Sequence, residues 1–504
     1  MQSFVGQRTR LLYVLLVALP TSSRLLANSL MSVSMVTRET VAVIGGGIAG
    51  TSFAQRLATT VSSTISSDKR QFQVTVFDTG RLRLGGRCSS RLPGDALKDN
   101  NNGAPAGTAS SSPYLSRYLI DHAAQILTVP ETHEFADFAQ QVRDWETQGI
   151  VKCFQPGSVC SIHSAKSGTT TTNGFRIKSL PSEHMFYGAQ GMGSLPQSMI
   201  DAAVKTGSVD VQQDVWVSPA NGVRYKSGKW TVQASGKVLG QFDRLVIAHN
   251  GKCADRLMSK TPAKELHNLL KTNFAPSVPT HGGKRMTLNS IYSLTVALKK
   301  GSALSQSLPE PLVCGFVKDN AALRFLSCQT RKYDCNQNVD GGDDIDVWTI
   351  LSSPNFAKKY KAPQEFLTDE TIEQVSSQLL QALEQSLGLD AGSLTKAVLE
   401  RRLQLWGAAL PLNTWETTTS TVKDGGGYVY DSEHTAGVIG DWLVQPSIAG
   451  AWTSGQRLAD FLQFEEDGTQ IMTVGLEGSF VRSESASQEG IGALSLARPP
   501  TVKN

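Results

Sequence analysis

Residues 41–50 read VAVIGGGIAG, a short apolar run followed directly by spaced glycines. A β-branched apolar run of this length is typical of a buried parallel strand. Gly45 permits a tight turn, Gly47 lets the backbone approach a phosphate, and Gly50 lets a helix pack on the strand. The helix is predicted to begin near Ile48, with its free N–H groups facing a pyrophosphate. The pattern therefore predicts a dinucleotide-binding βα unit.

A second apolar strand is predicted over residues 72–77 and ends at Asp78, a carboxylate suited to the hydroxyl groups of a ribose. Residues 85–91 then read GGRCSSR, a second glycine turn with a cation beside it. Its glycines suit another close backbone approach to a cofactor, and Arg87 is available to phosphate or flavin. A nicotinamide-dependent dehydrogenase has no need of this turn, so the pattern favours FAD over NAD.

Two motifs near the other end of the chain complete the pattern. Residues 440–442 read GDW, and residues 450–455 read GAWTSG. Asp441 is predicted to face the ribityl hydroxyl groups of a flavin. Gly450 and Ala451 are predicted to begin a helix at the flavin N1/O2 edge, where negative charge accumulates on reduction. One dinucleotide held from both ends of the chain indicates FAD.

The ordered set of motifs, which runs from residue 40 to about residue 462, resembles the flavin amine oxidase superfamily. Within it, the chain is most similar to the renalase-like FAD-dependent oxidoreductases. The blocks that carry the resemblance are residues 78–91, similar to a glutamate followed by GGR; DHAAQ at 121–125, similar to DHGAQ; GMGSL at 191–195, similar to G-M-x-x-L; LWGAALP at 405–411, similar to W-x-x-A-x-P; and the two closing motifs. HNGKC at 249–253 further suggests the plant and algal branch.

The chain departs from the family pattern at several positions. Ala123 replaces a glycine, Cys88 stands where methionine is usual, and Gly407 and Ala408 replace bulkier residues after Trp406. The last change is expected to reshape whatever pocket the tryptophan lines. These departures leave the FAD prediction unchanged and leave the identity of the substrate open.

Motifs and resemblance together predict two sets of site residues. His122 and Trp406 are the candidate pocket side chains, each of which could equally be core packing. The resemblance implies that Val215 binds the adenine of FAD through backbone hydrogen bonds. The full set of predicted cofactor contacts is Gly45, Gly47, Ile48, Ala49, Gly50, Asp78, Gly85, Gly86, Arg87, Gln125, Val215, Gly440, Asp441, Gly450 and Ala451.

The predicted fold class is α/β (α+β), with a Rossmann-like FAD-binding domain of the glutathione-reductase type interleaved with a mixed-sheet substrate domain. The FAD-binding domain is assigned to residues 40–94, 191–257 and 425–462, and the substrate domain to residues 118–187 and 286–412. An Asn/Gly/Ser-rich insert at 95–117 and a polar tail at 463–504 are predicted to be disordered.

The preferred interpretation is a renalase-like FAD oxidase or dehydrogenase. The resemblance implies a small-molecule substrate such as an isomeric dihydronicotinamide, with oxygen or a quinone as the electron acceptor. A second interpretation, an amine oxidase or a carotenoid-desaturase-type flavoenzyme with the same fold, stays open. A non-catalytic binding protein on the same scaffold also stays open, although the intact glycine motifs argue against it.

The first 38 residues differ in composition from the rest of the chain. They contain Arg8, Arg10, Arg24 and Arg38 and no acid, so they account for the whole formal charge of +4. The remaining residues carry no net charge, so nothing in the composition indicates a nucleic-acid-binding surface. A short apolar run at 11–19 followed by a serine-rich stretch predicts a cleaved presequence for a plastid, with mitochondrial import as the main rival and a secretory signal third.

The cysteines and histidines exclude some chemistry. Seven scattered cysteines and the absence of an N-x-S/T site argue against a secreted disulfide scaffold. No cysteine follows Cys335, so a cysteinyl-flavin link in the C-terminal region is excluded and the FAD is predicted to be non-covalent. The eight histidines show no pairing at metal spacing, so no metal is predicted, and no segment of the mature chain is long and apolar enough to span a membrane.

Overall fold

The computed structural model describes residues 38–62, 71–95, 114–164, 175–217, 221–337, 339, 345–364, 366–418, 426–463 and 472–483. The described residues from Glu39 onward belong to one compact unit. The predicted presequence, most of the insert at 95–117 and much of the tail lie outside the described residues. The prediction of disorder is wrong for residues 115–117 of the insert, which form a 3₁₀ turn, and for residues 478–482 of the tail, which form a strand.

The described strands are, in chain order, β1 (Arg38–Ile44), β2 (Gln71–Phe77), β3 (Ser90–Arg91), β4 (Ile120–Asp121), β5 (Leu127–Thr128), β6 (Val151–Cys153), β7 (Val159–Ser164), β8 (Phe175–Ser179), β9 (Met185–Gly188), β10 (Val209–Gln212), β11 (Val223–Lys226), β12 (Lys229–Ala234), β13 (Lys237–Phe242), β14 (Arg244–Ile247), β15 (Thr272–Phe274), β16 (Met286–Leu288), β17 (Ile291–Lys299), β18 (Cys314–Lys318), β19 (Leu323–Cys328), β20 (Ile345–Ser352), β21 (Val398–Trp406), β22 (Asn413–Thr417), β23 (Val429–Asp431), β24 (Ala436–Val438) and β25 (Gly478–Arg482).

The described α-helices are α1 (Ile48–Ser62), α2 (Ala136–Thr147), α3 (Ser194–Val204), α4 (Gly251–Met258), α5 (Lys264–Leu270), α6 (Ala303–Ser307), α7 (Gln329–Lys332), α8 (Asp334–Gln337), α9 (Pro354–Lys359), α10 (Asp369–Leu387), α11 (Ser393–Ala397) and α12 (Ile448–Gln463). Short 3₁₀ turns cover Gly86–Cys88, Leu115–Arg117, His133–Phe135 and Asp441–Leu443. None of the described helices is long and apolar enough to cross a lipid bilayer.

A six-stranded sheet carries the front glycine motif, in the order β10-β2-β1-β14-β24-β23. The pairs β10–β2, β1–β14 and β14–β24 are parallel, whereas β23 is an antiparallel edge strand. Alternate residues of β1 enter different cores: Val41 and Val43 pack with α1 and α12, and Ala42 and Ile44 pack in a second core. Burial on both faces explains why residues 41–44 of the strand are all apolar.

A seven-stranded sheet, in the order β21-β17-β20-β19-β18-β7-β8, is mixed, because β7 and β18 run parallel while its other described pairs are antiparallel. Helix α10 packs on it through Val375, Leu379 and Leu383. The Thr368 hydroxyl caps this helix, and Gly388 ends it with a φ of +64°. The α/β prediction with a Rossmann-like domain and a mixed sheet is confirmed, while the division into two domains stays a prediction.

Candidate functional site

The front glycine loop has the geometry that close backbone approach requires. Gly45 has a φ of +117°, and its N–H donates to the Phe77 carbonyl at 2.9 Å. A Cβ on Gly50 would lie 2.0 Å from the Gly45 carbonyl oxygen, so α1 can pass this close only with glycine there. A Cβ on Gly47 would have Gly85 O, at 3.9 Å, as its nearest neighbour, so the Gly47 backbone faces open space. As predicted, α1 begins at Ile48, and Ala49 lies in its first turn.

Asp78 stands at the end of β2 and holds this loop. Its Oδ2 accepts from the Gly46 N–H at 2.7 Å, and its Oδ1 accepts from the Gly80 N–H at 2.7 Å. Burial raises the pKa of Asp78, and the two backbone hydrogen bonds oppose that rise. Each carboxylate oxygen has more than one lone pair, so the side chain retains acceptor capacity for ribose hydroxyl groups.

Val215 lies beside Asp78, but its N–H is already used. It donates to the Asp78 carbonyl at 2.9 Å, next to Asp214, which has a φ of +56°. The adenine contact predicted for Val215 stays a prediction, and it cannot use this N–H without breaking the bond to Asp78.

The second glycine turn lies against the first. The Gly85 N–H donates to the Gly46 carbonyl at 3.0 Å, and Gly85 and Gly86 have φ values of +127° and +52°. A Cβ on Gly86 would meet no atom within 4 Å. Gly86 and Gly47 thus both expose backbone that no side chain covers. A bulky ligand can approach the main chain closely only at such positions.

Arg87 links this turn to the distant closing motif. Its Nη1 donates to Asp441 Oδ2 at 2.7 Å and to the Ala409 carbonyl at 2.9 Å, and Arg87 and Asp441 are 354 residues apart. Asp441 is 3% exposed, and within the described residues its Oδ1 atom is buried without a hydrogen-bond partner. An unpaired buried carboxylate oxygen requires an explanation, and a hydroxyl-bearing ligand would supply the missing donor.

Helix α12 begins beside this ion pair, two residues before the predicted start at Gly450. It starts at Ile448. In its first turn the Gly450 N–H donates to the Ser447 hydroxyl at 2.9 Å, and the Ala451 N–H donates to the Ser447 carbonyl at 3.0 Å. The prediction that the helix begins at Gly450 is therefore wrong by two residues. The Gly440 N–H donates to the Ser454 hydroxyl at 2.9 Å, which fixes the closing turn on the helix.

His122 and Trp406, the two predicted pocket side chains, stack on each other. Their ring centroids are 5.7 Å apart with planes 9° from parallel, and the indole N–H of Trp406 donates to the His122 carbonyl at 3.2 Å. The Ser89 hydroxyl donates to the Gly86 carbonyl at 2.7 Å and lies 3.1 Å from His122 Nε2. Because a hydroxyl has one proton, Nε2 must be the donor to Ser89.

Burial, assisted by the charges of Arg91 and Arg402, lowers the pKa of His122 to about 3, so the imidazole is neutral near pH 7. Its single proton then lies on Nε2, the nitrogen that donates to Ser89. Its Nδ1 is an acceptor that is enclosed and has no partner among the residues described. The His122–Trp406 pair therefore offers a flat aromatic face and an acceptor, without a positive charge on the imidazole.

This lowered pKa predicts acid sensitivity. Since His122 takes up a proton at about 6.5 when unfolded and at about 3 when folded, the stability it contributes is complete above pH 6.5 and is lost as the pH falls toward 3. Urea unfolding at pH about 7.5 and about 5 is expected to show a smaller pH effect in His122→Phe than in the wild type. The exposed His281→Gln control should behave as the wild type; equal losses in all three proteins would contradict the assignment.

A buried polar cluster, which we call the Asp121 network, has no local signal in the sequence. Lys332 Nζ donates to Asp121 Oδ2 at 2.7 Å, and both side chains are 0% exposed. The Tyr333 hydroxyl donates to the same oxygen, and the Asp121 Oδ1 accepts from Ser90 and from the Met192 N–H. The network ties the second glycine turn to the GMGSL block.

Gln125 belongs to the Asp121 network. Its Nε2 donates to the Asp121 carbonyl at 2.7 Å, and its Oε1 accepts from Gln329 at 3.0 Å. The side chain is 4% exposed, and both ends of the amide have partners inside the protein. The predicted contact of Gln125 with a cofactor stays a prediction.

The HNGKC turn is a further part of the site. His249 Nδ1 lies 3.0 Å from the Ile44 carbonyl, directly before the first glycine, and burial lowers the pKa of His249. A Cβ on Gly251 would lie 3.2 Å from the Ala408 Cβ. The small residue at 408, a departure from the family pattern, thus accommodates the turn at 249–251.

Residues 43–142 match the model of the NAD(P)-binding Rossmann-like domain. No curated protein shows significant sequence similarity to the chain. Among solved structures, putrescine oxidase bound to putrescine is 12% identical with a TM-score of 0.47, covering 84% of this chain and 98% of that chain. Cyclohexylamine oxidase from Brevibacterium oxydans is 11% identical with a TM-score of 0.47, covering 84% and 99%. The match over residues 43–142 and the mainly parallel sheet around β1 define a Rossmann-like domain in this part of the chain.

Proposed function

We propose that the chain is a renalase-like FAD-dependent oxidoreductase that binds its cofactor non-covalently. The observation that carries the proposal is the Arg87–Asp441 ion pair, which joins the second glycine turn to the closing motif. A protein that bound only a nicotinamide nucleotide would have no use for this connection. The pair also leaves one Asp441 oxygen for a ligand that carries hydroxyl groups.

The residues present fit four parts of FAD: the pyrophosphate, the ribose, the ribityl chain and one edge of the flavin. The start of α1 and the bare backbone at Gly47 would hold the pyrophosphate, and Asp78 would accept from the ribose hydroxyl groups. Arg87 and Asp441 would hold the ribityl chain, and the start of α12 would face the flavin N1/O2 edge. A side chain at Gly47 or Gly86 would occupy space that such a ligand needs.

When bound, FAD supplies a hydride acceptor at flavin N5. The chain's own task is then to orient the substrate and keep water out, and no protein nucleophile is required. Trp406 and neutral His122 would provide a planar wall, and His122 Nδ1 would accept a hydrogen bond from the substrate. A small planar heterocycle such as an isomeric dihydronicotinamide suits these features, with oxygen or a quinone receiving the electrons.

The first test is the visible absorption spectrum of the purified chain, expressed from about Arg38. A yellow protein that releases stoichiometric FAD on acid treatment would support non-covalent FAD binding. A flavin attached covalently to the protein would not be released. Anaerobic bleaching should then be faster with dihydronicotinamides than with amines or polyenes. A colourless protein that cannot be reconstituted with FAD would overturn the enzyme proposal.

Gly47 offers a variant that separates binding from folding. Because a Cβ at this position meets no atom closer than 3.9 Å, Gly47→Ala and Gly47→Val should fold normally. The valine should nevertheless obstruct the phosphates, and FAD affinity is expected to weaken at least about tenfold, with the alanine intermediate. Titration of the apoprotein with FAD measures the effect, while thermal unfolding without FAD serves as the control. Unchanged affinity in Gly47→Val would place the phosphates elsewhere.

We further propose import into a plastid through the first 38 residues, on the basis of their basic, acid-free and serine-rich composition. A fluorescent protein fused behind this segment should accumulate in plastids of a plant or algal cell. Accumulation in mitochondria would favour the rival destination.

A further inference from the structure

The stretch at residues 472–483, which we call the C-terminal strap, is bonded to two separate parts of the fold. Its strand β25 pairs antiparallel with β22, the strand that follows the LWGAALP block. Val474 exchanges backbone hydrogen bonds with Tyr430 of β23 at 2.8 and 2.9 Å. The strap therefore joins the edge of the dinucleotide sheet to the segment that carries Ala409.

The strap lies so close to the neighbouring backbone that its position is fixed. A Cβ on Gly282, which has a φ of +86°, would lie 1.9 Å from the Phe480 carbonyl oxygen. The Asn413 side-chain amide donates to the Gly282 carbonyl at 2.6 Å, and the Trp415 indole N–H donates to the Gly475 carbonyl at 2.8 Å. Close backbone packing of this kind leaves little room for β25 to shift.

Phe480 is the one side chain of β25 that is buried, at 5% exposure. Its ring lies 4.9 Å from that of Trp415 and 6.2 Å from that of Trp442, and the planes of the Phe480 and Trp442 rings are 29° apart. Phe480 thus places an aromatic ring against the residue that directly follows Asp441.

Trp442 transmits this contact to the closing turn. Its side chain is fully buried, and a Cβ on Gly440 would lie 2.9 Å from the indole Nε1. No described residue accepts from that indole N–H, so packing rather than hydrogen bonding holds the ring. The ring is confined by Phe480 and by the Gly440 backbone, and Asp441 lies between the two residues that this packing fixes.

We infer that the C-terminal strap is a working part of the cofactor site, in which Phe480 positions Asp441 through Trp442. The inference rests on the proposed FAD function and goes beyond it, because the strap contains none of the cofactor motifs. Loss of the Phe480 ring would leave space beside Trp442, let the Asp441 carboxylate turn away from Arg87, and so weaken the hold on the ribityl chain.

The test compares Phe480→Ala and Phe480→Leu with two controls. Ser479→Ala changes an exposed residue of the same strand, and Phe356→Leu removes a buried ring from the core under the seven-stranded sheet. Fluorescence titration of each apoprotein gives the FAD affinity, and the reduction potential of the bound flavin reports the local environment. Phe480→Ala should weaken binding about tenfold and shift the potential, and Phe480→Leu should retain most of the affinity.

Phe356→Leu is expected to lower thermal stability while leaving FAD affinity and potential unchanged, which separates positioning from general destabilisation. In a double-mutant cycle, Phe480→Ala should have no further effect on FAD affinity once Trp442→Leu is present. Should Phe480→Ala prove insoluble, Phe480→Val, which also removes the ring, takes its place alone and in the cycle.

A wild-type protein that binds no FAD would overturn both proposals. Normal binding by the wild type together with unchanged affinity and potential in Phe480→Ala, or full additivity in the cycle, would overturn only the role of the strap.

Discussion

Replacement of Lys332 by methionine is expected to destabilise the folded protein by about 3–5 kcal/mol. The ammonium group is enclosed, donating to Asp121 and to the Gln125 carbonyl at 2.7 Å each. Methionine fills a similar volume but removes the positive charge, which leaves the Asp121 carboxylate buried without its counter-ion. Removing one partner of a buried pair costs far more than removing both.

Urea unfolding measures this effect, and two variants serve as comparisons. Asp121→Asn combined with Lys332→Met should recover part of the lost stability. Lys152→Met breaks an ion pair of the same 2.7 Å length with Asp334, but there the side chains are 49% and 72% exposed. That exposed pair should contribute less than about 1 kcal/mol. If Lys332→Met cost no more than Lys152→Met, the Asp121 network would contribute little to stability.

Replacement of Asp441 by alanine is expected to weaken FAD binding by about two to three orders of magnitude, equivalent to about 3–4 kcal/mol. The change breaks the 2.7 Å bond to Arg87 and removes the carboxylate oxygen that is free to accept from a ligand. Arg87, whose side chain is 33% exposed, would then be free to turn toward solvent. Both proposed contacts with the ribityl chain would be lost together.

Asp460→Ala is the matched control, since it removes a carboxylate from a more exposed ion pair, which joins Asp460 of α12 to Arg56 of α1. Its FAD affinity should remain close to that of the wild type. Calorimetric or fluorescence titration with FAD distinguishes the variants. Equal affinities for Asp441→Ala and Asp460→Ala would remove Asp441 from the proposed site.

Local patterns in the sequence predict much of the front of the fold. The apolar run before Gly45 becomes β1, and α1 begins at Ile48. Apolar residues spaced three or four positions apart before Gly388, namely Ile372, Val375, Leu379 and Leu383, likewise lie in α10. Each of these features is determined by residues within a few positions of one another, through burial on a regular spacing or through a glycine that ends a helix.

The remaining features depend on contacts between distant residues, which local patterns do not reveal. Lys332 belongs to an ordinary Arg-Lys-Tyr run, and only its meeting with Asp121, 211 residues away, makes it a buried ion. Phe480 lies in a polar, glycine-containing tail whose composition predicted disorder, and the pairing of β25 with β22 overrides that tendency. Likewise, the bond from Val215 to Asp78 cannot be predicted from either residue alone.

The close packing of helices α1 and α12, which lie near opposite ends of the chain, affects how the protein folds during its synthesis. The Ser52 hydroxyl donates to the Trp452 carbonyl across 400 residues, and a Cβ on Gly455 would lie 2.1 Å from that hydroxyl oxygen. Strands β23 and β24 also come from this late part of the chain. At about 5–20 residues per second, a ribosome needs about 20–80 s to make the intervening segment. Throughout that interval the part of α1 that α12 covers in the folded protein remains without its partner, and apolar surface exposed in this way favours aggregation.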